Sequence, residues 1–186
     1  MRRNTGVPYC ALRGLEIGNE VNKALEILSK RGLALPDHLR VDAAIFDYWR
    51  AKMGAAANDS PAAFTFDART QEAYLFFDPA DAYWAHPQMI VDHLHQSGYW
   101  STGHRHHPIV HEAGHLAHFR ASPTLYAAMR SHRFSAKESA TATKVSGYAA
   151  DSPREFVAEV FAILAIGGDV EADIMALYRA LGGVIP

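Results

Sequence analysis

The stretch Pro108-Ile109-Val110-His111-Glu112-Ala113-Gly114-His115-Leu116-Ala117-His118-Phe119-Arg120 decides how this chain is read. Pro108 suits the first turn of a helix, where its missing N–H leaves nothing unpaired. Ile109, Val110, Leu116 and Phe119 give that helix a buried face. On it His111 and His115 stand at i and i+4, so both imidazoles can reach one ion. Two neutral ring nitrogens suit Zn2+, which binds them at about 2.0–2.1 Å. Glu112 is turned about 100° around the helix, beside such an ion, where it can take a proton from an activated water. Ala113 and Gly114 are small enough to let another segment approach closely. The bland alternative is an amphipathic helix with two surface histidines. The chain has eleven histidines, nine of them between His86 and His118, which favours chance matches to H-E-x-x-H.

Around this stretch the 186 residues read as one α+β domain, helix-rich, with a small mixed sheet or hairpin beside the histidine helix. Residues 1–60 read as a helical N-terminal part, and 61–186 as the hairpin and the helices that carry the chemistry. Helices are expected over 15–31, 87–97, 108–120, 123–130, 153–166 and 170–181. The segment 39–53 is helical or opens as a strand, and 54–61 (GAAANDSP) is a loop. AAFTF at 62–66 and QEAYLFF at 71–77 read as a hairpin, and 131–152 mostly as loop. The helix over 15–31 carries an apolar stripe, read as core in preference to a docking surface.

The formal charge of −2 argues against a broad basic surface for nucleic acid. The single cysteine, Cys10, excludes a disulfide framework and is given no role. The longest apolar run, 156–166, is interrupted by Glu159 and falls short of the roughly 20 residues that span a bilayer. Met1-Arg2-Arg3 is followed by polar residues in place of an apolar export segment. The expectation is a chain in the cytoplasm or delivered by a route other than general secretion, with no membrane partner. Trp49, Trp84 and Trp100 read as packing residues, with Trp100 also a candidate for lining a cleft.

A catalytic zinc needs a third protein ligand and an open fourth position. His118 is one candidate, and the cluster His104, His106, His107 is another. A third lies in Gly147-Tyr148-Ala149-Ala150-Asp151-Ser152-Pro153-Arg154-Glu155-Phe156-Val157-Ala158-Glu159. There Glu155 and Glu159, at i and i+4 on an apolar helix, call for partners. Ser152-x-x-Glu155 is also a capping box, in which Glu155 only reaches back to the Ser152 backbone.

HEAGH at 111–115 followed by GYAADSPREFVAEVFA at 147–162 resembles the lethal-factor-like zincin metallopeptidases. That group takes in phage head-associated domains and toxin metallopeptidases of bacterial competition. The resemblance covers roughly residues 104–166. It implies zinc held by His111, His115 and Glu155, with Glu112 as general base. It further implies Tyr148 as hydrogen-bond donor to the oxyanion and Glu159 as the residue orienting a ligand histidine. The expected activity is endopeptidase cleavage of a protein or peptide laid along a sheet edge. An immunity or inhibitor protein, or narrow specificity, would restrain the enzyme. Two other readings stand beside it: a catalytically silent zincin-like module, its zinc closed by a fourth protein ligand, and a metal-free partner-binding protein whose histidines respond to pH.

Overall fold

The computed structural model describes residues 9–11, 15–33, 35–53 and 60–186. The expected loop at 54–59 and the basic start at 1–8 lie outside them. Strand β1 (Tyr9–Ala11) and helix α1 (Leu15–Lys30) come first, then strand β2 (His38–Val41) and helix α2 (Ala43–Met53). The hairpin β3 (Ala62–Phe66) and β4 (Ala73–Phe77) follows. Helices α3 (Pro87–Gln96), α4 (His107–Ala121), α5 (Pro123–Ala128), α6 (Ala136–Thr143), α7 (Pro153–Ala165) and α8 (Ala172–Ala180) complete the chain. None of the described helices is long and apolar enough to cross a membrane.

The architecture is α+β and helix-rich, with one four-stranded mixed sheet in the order β1-β2-β4-β3. β1 and β2 run parallel to β4, and β3 pairs with β4 antiparallel, Ala62 opposite Phe77 and Phe66 opposite Ala73. Alternation along β4 assigns its two faces. Leu75 and Phe77 join the main core with Val21, Leu25 and Leu28 of α1 and Ile109 and Val110 of α4. Tyr74 and Phe76 face the other way and pack with Phe46 and Trp49 of α2. The α1 stripe is therefore core. β3 is left as a sheet edge alongside α4.

Three expectations need correction and one ambiguity is resolved. The N-terminal part is not wholly helical, because β1 and β2 join the hairpin's sheet. The ambiguous 39–53 segment is both strand and helix, divided at Asp42, whose carboxylate accepts the Ala44 and Ile45 backbone N–H groups. The expected loop at 131–152 contains α6, started by a full capping box: Ser135 and Glu138 bond each other's backbone N–H. That S-x-x-E signature was present in the sequence, and the polar, alanine-rich run around it hid the helix. The last helix also starts later than expected, at Ala172.

Candidate metal centre

α4 and α7 meet where Gly114 leaves room. A Cβ on Gly114 would lie 3.0 Å from the Ala158 Cα and 3.1 Å from the Phe161 side chain. Glycine thus lets α7 lie almost on α4, which brings both α7 glutamates to the histidine face. His111 Nε2 is 3.0 Å and His115 Nε2 3.2 Å from the same oxygen, Glu155 Oε2. On the far side of its ring, His111 Nδ1 is 2.7 Å from Glu159 Oε1. A proton on Nδ1, shared with that carboxylate, leaves the Nε2 lone pair facing Glu155.

Ligand atoms of His111, His115 and Glu155 lie within 4.8 Å of one another, so these residues can hold a metal ion. His107, His111 and Glu159 form a second such group. The donor set fits an ion: two buried imidazoles and a carboxylate converge without a Lys or Arg among them. Among the described residues, His115 Nδ1 has no hydrogen-bond partner.

Glu112 is buried beside this group, and its Oε2 accepts the backbone N–H of Phe64 from β3 at 2.6 Å. Burial pushes its carboxyl above the usual range, with His115 and His111 opposing. Burial also works against ionisation of Glu155, but neighbouring His115 and His111 outweigh it and hold that carboxyl well below the ordinary value. His111 is likewise desolvated, yet its contacts with Glu155 and Glu159 raise it well above the usual imidazole value.

Tyr148 opens a short 3-10 turn, Tyr148–Ala150. Its ring stacks on His111 with centroids 5.2 Å apart and 17° between planes. Burial, then the nearby Glu155 and Glu112 charges, raise the phenol's pKa. Glu159 is fully buried and accepts the Ser101 backbone N–H at 2.6 Å and the Ser146 hydroxyl at 3.1 Å.

All six residues singled out in the sequence, His111, Glu112, His115, Tyr148, Glu155 and Glu159, are therefore gathered. The capping alternative is half present. Ser152 Oγ accepts the Glu155 N–H at 3.3 Å, while the Glu155 carboxylate turns to the histidines. Of the other ligand candidates, His107 lies beside the site, in the second group with His111 and Glu159, while His106 and His118 meet other partners. His118 is buried edge-on to Tyr126, centroids 5.3 Å apart. His106 Nδ1 is 3.3 Å from Glu20, which Arg105 also clamps through two contacts of 2.8 and 3.0 Å. Trp100 is buried against His107 and does not line an open cleft.

Sequence reasoning missed Ser101, Ser146 and Tyr99. Tyr99 stacks on Tyr148 at 5.3 Å and accepts the Tyr148 backbone N–H at 3.0 Å. No local pattern flags these three, because their partners come from elsewhere in the chain: Glu159 for Ser101 and Ser146, Tyr148 for Tyr99. No known protein family, curated protein or solved structure matches the chain.

Proposed function

We propose that this chain is a zinc-dependent metallopeptidase of the lethal-factor-like zincin kind, with His111, His115 and Glu155 as ligands. The observation that carries the reading is the convergence of two Nε2 atoms on one Glu155 oxygen, at 3.0 and 3.2 Å. Donors bound tetrahedrally at about 2.0–2.1 Å lie about 3.3 Å apart, so the spacing suits zinc. When bound, the ion polarises a carbonyl and makes water more acidic.

The chain's own groups do the rest. Glu112, beside the ligands, takes the proton from the attacking water and passes it to the leaving amine. Tyr148 donates a hydrogen bond to the oxyanion as the carbonyl carbon becomes tetrahedral. The β3 edge, tied to Glu112 through Phe64, offers backbone groups to an extended peptide. A closed structural zinc would need a fourth protein donor. Among the described residues, none of His104, His106 and His118 joins the His111, His115 and Glu155 group, which supports the open form.

The test is Glu112→Gln in the full chain, assayed on a peptide library with zinc content measured in parallel. Zinc should remain at one equivalent while cleavage falls by about 10²–10⁴-fold. Retained cleavage would rule the assignment out.

A further inference from the structure

His107 stands one helical turn before His111, so His107, His111 and His115 form a single i, i+4, i+8 row on α4. It is 1% exposed and covered by the Trp100 ring, centroids 4.7 Å apart. Its two nitrogens meet different groups. Nδ1 is 3.1 Å from Thr102 Oγ1, and that oxygen accepts the His104 backbone N–H at 3.4 Å. With an N–H already directed at it, the Thr102 hydroxyl gives its own proton to His107 Nδ1. A neutral ring then carries its proton on Nε2. Nε2 approaches Glu159 Oε1 at 3.0 Å, a charge contact without the alignment of a hydrogen bond, and has no hydrogen-bond partner among the described residues.

Glu159 Oε1 therefore lies between two imidazoles, His111 Nδ1 at 2.7 Å and His107 Nε2 at 3.0 Å. Its other oxygen is held by Ser101 and Ser146. We infer that His107 is a positioning residue of the metal centre, steadying Glu159 so that Glu159 fixes His111 with Nε2 directed at the ion. The inference rests on the metal reading above. Removing His107 takes away a polar neighbour of a fully buried carboxylate and frees it to turn. Changes to partners one step behind a metal ligand characteristically weaken binding by about 10- to 100-fold.

The experiment measures zinc affinity of the full chain by chelator competition, with the visible spectrum of the cobalt-loaded protein as second readout. Wild type, His107→Leu, His107→Gln and His107→Asn are compared. Wild type should bind one zinc. His107→Leu should bind about 10- to 100-fold more weakly with a shifted cobalt spectrum. His107→Gln, whose Nε2 keeps a donor near the same place, should recover most of the loss. If His107→Leu does not fold, the Gln and Asn variants carry the test, since Asn moves the donor to the Nδ1 position and should not rescue. Equal affinity in all four proteins, or no rescue by glutamine, overturns the inference and leaves the peptidase proposal standing. A second zinc in wild type that disappears with His107 would make it a ligand and also overturn the inference. No zinc in wild type overturns the metal reading itself.

Discussion

Glu155 and Glu159 sit one turn apart on α7, yet they are satisfied in different ways. Glu159 is fully buried, and the protein supplies its donors: His111 Nδ1, the Ser101 backbone and the Ser146 hydroxyl, with His107 at 3.0 Å. The Glu155 side chain is 21% exposed and faces two imidazole Nε2 atoms that could hold a metal ion with it. One carboxylate completes its coordination within the fold. The other meets two imidazole nitrogens at one oxygen, an arrangement that a bound cation would satisfy. What separates the two glutamates is the kind of partner each meets, since both lie in the same Glu-Phe-Val-Ala-Glu run.

Three changes probe that contrast. Glu155→Ala should have the largest effect, removing zinc binding and cleavage together, because it deletes a ligand and leaves Glu159 in place. Metal analysis of the purified protein checks this, and full zinc occupancy would erase the distinction. Glu159→Ala should weaken zinc by a smaller factor, about 10- to 100-fold. It should also lower stability, because buried donors left unpaired cost about 1–3 kcal/mol each. Denaturant melts beside zinc titrations separate the two effects. Gly114→Ala should cost about 1–3 kcal/mol by pushing α7 away from α4. Zinc affinity should fall with it, since both glutamates ride on α7.

The smallest effect concerns His118, which lies on the same helix as the ligands but off their group. Burial lowers its pKa to about 4, helped by nearby His115 and Arg154. The unfolded chain takes up that proton near pH 6.5, the folded chain only near pH 4, so His118 costs stability as pH falls through that window. His118→Leu should flatten the loss of stability between pH 6.5 and 4 relative to wild type. Thermal melts across that range measure the slope, and an unchanged slope would show that His118 is not protected in the folded state.

Where local pattern and tertiary partner coincide, the chain is legible from its letters. His111, Glu112 and His115 need only the helical repeat to share a face. Pro108 and Pro153 mark helix starts, and the alternation of Phe64, Phe66 and their neighbours marks the hairpin. Glu155 was divided between cap and ligand because both uses begin with the same Ser152 hydrogen bond, and only the path of its carboxylate separates them. β1 is silent in the pattern, and β2 shows only as the ambiguous opening of the 39–53 segment, for another reason. Three- and four-residue strands gain their stability from parallel pairing, β1 with β2 and β2 with the distant β4, which leaves little periodicity behind. Ser101 and Ser146 were silent because a buried glutamate far along the chain gives them their role.

The most direct measurement is anomalous diffraction from crystals of the full chain at an energy just above the zinc edge. The account predicts one peak within about 2.0–2.2 Å of His111 Nε2, His115 Nε2 and a Glu155 oxygen, with no protein atom in the fourth position. A peak elsewhere, no peak in zinc-saturated crystals, or a fourth protein donor on the ion would contradict it.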